Sequence, residues 1–99
     1  IMKSIRNAEY MEFSHMLGGN IKFCRLRKFK PQKVLAHVIG VTYQNIQKYE
    51  AGAIMPTPFR LKKIAEYYNV KVDDLLSPTF IHEQTKANEP LDRSIHDSN

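Results

Sequence analysis

The chain has 99 residues, 42% of them hydrophobic, with a formal net charge of +5. That length suits one small core with tails and excludes a multidomain assembly. The single cysteine, Cys24, excludes an internal disulfide and a cysteine-based zinc site, and suits a reducing cytoplasm. No apolar run approaches the roughly 20 residues needed to span a bilayer, so no membrane partner is expected. The stretch Ile1 to Leu17 carries Glu9 and Glu12 and does not read as a secretory signal.

Charge is unevenly placed. Residues 20–63 hold ten Lys and Arg against Glu50 alone, a net +9, whereas residues 64–99 hold three against seven acids, a net −4. A basic half beside an acidic half suits a polyanionic partner for one face. Taken alone, it equally describes a solvated basic surface.

Along the chain, helical periodicity dominates. Residues 1–17 form an N-terminal extension whose Met2, Ile5, Tyr10, Met11, Phe13, Met16 and Leu17 suffice for an extra helix or a partner-binding segment. Gly18-Gly19 reads as a loop or helix boundary, with Asn20 as N-cap. A first helix is expected from about Asn20 to Phe29, with Ile21, Cys24 and Leu26 inward. Pro31 suits the first position of a second helix, to about Ile39, with Val34, Leu35 and Val38 on one face. Gly40 can end it in the left-handed conformation. Thr42 then caps a third helix, Tyr43 to about Glu50, closed by Gly52. Two short helices joined by a brief glycine-containing turn make a helix-turn-helix. Thr57-Pro58 opens a fourth helix to about Tyr68, with Leu61, Ile64, Ala65 and Tyr68 as its apolar stripe and Asn69 as terminator. Asp73 to Leu76 forms a short fifth helix, and residues 78–99 read as a polar, disordered tail. The expectation is an all-α five-helix bundle with its domain over residues 18–77.

The central spacing runs Gly18, Ile21, Cys24-Arg25, Gln32, Leu35-Ala36, Gly40-Val41-Thr42, Ile46, Glu50 and Gly52, followed by Pro56, Leu61, Ile64-Ala65, Val70 and Leu75-Leu76. This resembles the phage repressor and Cro family of regulators, the XRE-type helix-turn-helix, from about Gly18 to Leu76. The resemblance implies a lambda-repressor-like fold and sequence-specific binding of double-stranded DNA, as a transcriptional regulator and repressor. It also implies an ion pair between Arg25 and Glu50 that fixes the third helix against the first, and a DNA-backbone contact by Gln32. Two positions depart from the family: Cys24 stands where Leu is usual, and the Ala53-Ile54-Met55 loop is apolar where relatives are often polar.

The residues themselves support that reading. With Ile46, Tyr49 and Glu50 turned inward, the third helix presents Tyr43, Gln44, Gln47 and Lys48, with Asn45 at the edge. Gln suits bidentate bonding to adenine and Lys suits guanine, while Tyr packs on a thymine methyl or bonds a phosphate. Tyr43, Gln44, Gln47 and Lys48 are therefore the candidate base readers. Gln32, Lys33, Thr42 and Asn45 are the candidate backbone contacts. Lys28, Lys30, Lys33, Arg60, Lys62 and Lys63 supply long-range attraction.

An enzyme is not expected. His15, His37, His82 and His96 are scattered, without a carboxylate or thiol at ligand or triad spacing. No phosphate-binding glycine loop is present, and no metal or cofactor is called for. A homodimer on an operator of two half-sites is expected, since one short helix reads few base pairs. Leu75, Leu76, Phe80 and Ile81 are candidates for that contact. The alternative is an antitoxin-like interaction module that binds its own promoter and holds a protein partner through the N-terminal extension or C-terminal tail.

Overall fold

The first helix is the spine of the core: the third, fourth, fifth and sixth helices pack against it, and the second packs on the third and fourth. The computed structural model describes residues 2–87, and side chains over 7–86. Among them are six helices: α1 Met2–Arg27, α2 Gln32–Ile39, α3 Tyr43–Ala51, α4 Pro58–Tyr68, α5 Val72–Leu75 and α6 Phe80–Ala87. The fold is all-α, with one helix more than expected.

α1 corrects the largest expectation. Gly18-Gly19 is no boundary; the helix runs through it without a break. A Cβ on Gly18 would collide with the Tyr49 carbonyl oxygen and lie 2.9 Å from that of Glu50. The glycine thus lets α1 and the C-terminal half of α3 approach backbone to side. Ser14, one turn earlier, is buried and donates its hydroxyl to the Gly52 carbonyl at 2.8 Å. Asn20 is not an N-cap either. It is buried, and its amide donates to the Leu75 and Ser77 carbonyls at 2.9 Å each, closing the end of α5. Residues 1–17 are therefore no separate extension over the described part, since Ser14 and Leu17 already belong to the core.

The core is Leu17, Ile21 and Cys24 of α1, Leu35, Ala36 and Ile39 of α2, Ile46 and Tyr49 of α3, Leu61, Ile64, Ala65 and Tyr68 of α4, with Leu75 and Phe80. Each large apolar side chain so buried stabilises the fold by about 1.5–3 kcal/mol. Burial pushes the Cys24 thiol up to about 11, so it behaves as a small apolar filler. Leu26, expected inward, is 52% exposed; Phe23 packs instead, edge-on to Phe80 with ring centres 5.9 Å apart. On α2 the inward face is Leu35, Ala36 and Ile39, while Val34 and Val38 stay largely exposed, because a helix this short offers the core only one narrow stripe.

Helix ends obey local chemistry closely. Thr42 and Thr57 accept from the backbone N–H groups of Asn45 at 3.1 Å and Arg60 at 3.3 Å. Pro31 stands as the N-cap of α2, one position earlier than expected. The fifth helix also starts one residue early, at Val72, where Asp74 accepts from the Lys71 backbone N–H at 3.0 Å. The expected disordered tail is overturned over Phe80–Ala87, which is helical with Phe80 buried; residues 88–99 lie outside the described residues. Leu75 and Phe80 are consequently core residues and unavailable for a contact between copies. No helix among the described residues is long and apolar enough to cross a membrane.

Candidate nucleic-acid interface

α2 and α3 meet through Leu35, Ala36 and Ile46, all buried. The turn between them is Gly40-Val41-Thr42, where Gly40 takes φ 73° and the Val41 N–H reaches the Ala36 carbonyl at 3.0 Å. Ala36 leaves room for the crossing. Thr42 then restarts the chain as α3, so the angle between the two helices is set by one left-handed residue and one cap.

Behind α3 lies a polar lock. Arg25 grips Glu50 with two parallel bonds, Nε to Oε2 at 2.6 Å and Nη2 to Oε1 at 3.0 Å. Gln32 donates its Nε2 to the same Glu50 Oε1 at 2.9 Å, and Arg25 Nη1 donates to the Lys30 carbonyl at 3.1 Å. The pair is sequestered, with side chains 13% and 4% exposed. The bond to Glu50 raises the Arg25 pKa further above its already high value. Bidentate geometry gives such a pair direction as well as energy, so α1, the start of α2 and the end of α3 are held in one register.

In front of α3 the expected residues share one face. Gln44, Gln47 and Lys48 are exposed, Tyr43 and Asn45 half-buried, and Thr42 exposed. Tyr43 accepts at its hydroxyl from Gln47 Nε2 at 3.1 Å, one turn on. The Lys33 ammonium of α2 sits 5.5 Å from the centre of the Tyr43 ring, so the two helices present one joint cluster. Gln44 and Lys48, four residues apart, form the adjacent row. Thr42 and Asn45 meet each other at the cap, hydroxyl to backbone N–H.

Gln32 is placed differently from the simplest expectation. It is half-buried, with one amide proton committed to Glu50, which leaves the second for any outside acceptor. Of the outer cations, Lys28, Lys30 and Lys33 are exposed at the α1–α2 corner. Lys62 and Lys63 lie 4.0 and 3.8 Å from Glu66 on an exposed face of α4. Arg60 is half-buried, with an Nε that finds no partner. Pairwise sequence signals do not reveal the Lys33–Tyr43 contact or the Ser14–Gly52 bond, since each joins residues on different helices.

The arrangement can hold a rigid polar helix face outward with cations beside it. The helix-turn-helix family model matches residues 21–75 of the chain. The chain is also 36% identical over 76 residues to a Bacillus subtilis (strain 168) protein described as an SPbeta prophage-derived uncharacterized HTH-type transcriptional regulator, YonR, across 77% of this chain and 68% of the relative. On the family match and on this likeness, the chain belongs to the XRE-type helix-turn-helix family.

Proposed function

We propose that the chain is a cytoplasmic transcriptional regulator that binds double-stranded DNA sequence-specifically and acts as a repressor, without catalysis. The observation that carries this reading is the outward row of exposed Gln44, Gln47 and Lys48 with half-buried Tyr43, on a helix whose opposite side is locked by Arg25, Glu50 and Gln32. A base-reading helix must be rigid, because an error of an ångström misaligns bidentate bonds to base edges. In this proposal α3 enters the major groove and Tyr43, Gln44, Gln47 and Lys48 reach base edges. Gln32, Lys33, Thr42 and Asn45 contact the flanking backbone, where α2 starts without a side-chain cap and so leaves N–H groups for a phosphate. Repression needs only occupancy of the site.

The chain would bind as a homodimer on an operator of two half-sites about 34 Å apart, one DNA turn. Selection of bound duplexes from a random pool tests all of this at once. Enrichment of a motif with two half-sites at that spacing is expected; failure to enrich any sequence would sink the proposal.

A second reading, an antitoxin-like module with a protein partner, draws support from the exposed Tyr10 (55%), Met11 (44%) and Phe13 (39%) on the first half of α1. Replacing these three with polar residues should abolish partner capture and leave DNA binding intact. Partner binding unchanged by that variant would argue against this surface.

A further inference from the structure

Four helices end in the same way. The residue after the last turn is left-handed, and the next N–H reaches back five residues: Lys30 to Arg25 at 3.1 Å, Val41 to Ala36 at 3.0 Å, Ala53 to Lys48 at 2.9 Å, and Val70 to Ala65 at 3.0 Å. This closure favours glycine, and after it asparagine. Three ends comply, with Gly40 (φ 73°), Gly52 (φ 75°) and Asn69 (φ 57°). The fourth, at the end of α1, places Phe29 at φ 53°. A phenylalanine in that conformation strains the backbone and has no polar group to bond locally. Its ring packs on little of the protein, since Phe29 is 93% exposed.

Neither folding nor packing accounts for this side chain, so its surroundings must. In the chain Phe29 lies between Lys28 and Lys30 and two residues from Arg27, with Lys33 in the first turn of α2, all exposed. No acidic residue occurs anywhere between Glu12 and Glu50. The corner is also fixed relative to α3, because the Lys30 carbonyl accepts from the same Arg25 that grips Glu50.

We propose that Phe29 is a DNA contact: its ring packs on the sugar edge of the backbone flanking the half-site, while Lys28 and Lys30 take the phosphates on either side. The proposal rests on the DNA-binding reading above. Deoxyribose offers an apolar surface between phosphates, and an aromatic ring set between cations suits that alternation. The contact adds affinity without reading a base, and it places the α1–α2 corner on the duplex at a set distance from the recognition helix.

The test uses Phe29→Gly and Phe29→Asn in the full chain, because both relieve the left-handed strain and so preserve folding. Each variant is to be compared with the unsubstituted chain by thermal unfolding, by sedimentation, and by titration of a duplex selected from a random pool at several salt concentrations. Both variants should unfold at the same temperature or higher, yet bind DNA several-fold more weakly, as for loss of a small apolar contact. The slope of affinity against salt should not change in them, whereas Lys30→Ala should lower it by about one. DNA affinity equal to that of the unsubstituted chain in both variants would overturn the proposal. So would a shift in the sedimentation of the free protein, which would make the ring a contact between copies. If the unsubstituted chain binds no duplex at all, the DNA-binding reading fails together with this one; binding with Phe29 indifferent removes only this one.

Discussion

The two faces of α3 are built under opposite rules. On the inner side, Ile46, Tyr49 and Glu50 face α1 and α2, and the one charge is met by a bidentate arginine and an amide. On the outer side, Gln44, Gln47 and Lys48 stay in water with donors and acceptors uncommitted to the core. The inner face decides where the helix sits, and the outer face decides what it can touch. A buried ion pair contributes little net stability but a defined geometry, and a defined geometry is what an outer row of base-reading side chains needs.

Substitutions on the two faces should separate these roles. The largest effect is expected from Glu50→Ala, which strands the Arg25 guanidinium and the Gln32 amide. Loss of one partner of such a pair costs about 3–5 kcal/mol, and Arg25 is enclosed enough for the lower part of that range to apply. Denaturant unfolding measures it, and an unchanged midpoint would place the lock outside the fold's energetics. Gly18→Ala comes next, at about 1–3 kcal/mol, as for overpacking against backbone that cannot yield. It should weaken DNA binding too, because the collision is with the carbonyls of Tyr49 and Glu50 and so displaces α3 bodily. The same change at Gly19, which has nothing within 4 Å, should instead stabilise the helix by about 0.5–1 kcal/mol, and that pair of variants is the sharpest test of the crossing.

On the outer face the sign of the comparison reverses. Gln44→Ala should leave stability within about 0.5 kcal/mol while losing roughly 1–3 kcal/mol of discrimination at one base pair of each half-site. Competition between selected and point-altered duplexes reads this directly. Thr42→Ala should cost about 1 kcal/mol of stability, from the lost cap on the Asn45 N–H. It should also weaken binding to all duplexes alike, as for one backbone contact; unchanged DNA affinity would confine Thr42 to the frame.

Much of this could be read beforehand from local signals. Thr42 and Gly52 delimit α3, Thr57-Pro58 and Asn69 delimit α4, and both helices lie where caps and periodicity placed them. Caps work over three or four residues, so a linear reading reaches them. The same reading went astray at Gly18-Gly19 and Asn20. A glycine pair before an asparagine has the same local appearance whether it breaks a helix or lets another helix approach. What distinguishes the cases is Tyr49, Glu50, Leu75 and Ser77, all of them at least 30 residues away. Phe80 is illegible for a related reason: a lone aromatic in a polar stretch shows no period, and only Phe23 and the end of α1 give it a burial site.

For α3 itself the division is plain. Its limits, its polar composition and its family were determined by sequence alone, because capping, helical period and motif spacing are properties of neighbouring residues. Its fixed position was decided only by tertiary structure. Arg25, Gln32, Gly18 and Ser14 come from two other helices to hold its far side, and their convergence on Tyr49, Glu50 and Gly52 exists only once the chain has closed on itself.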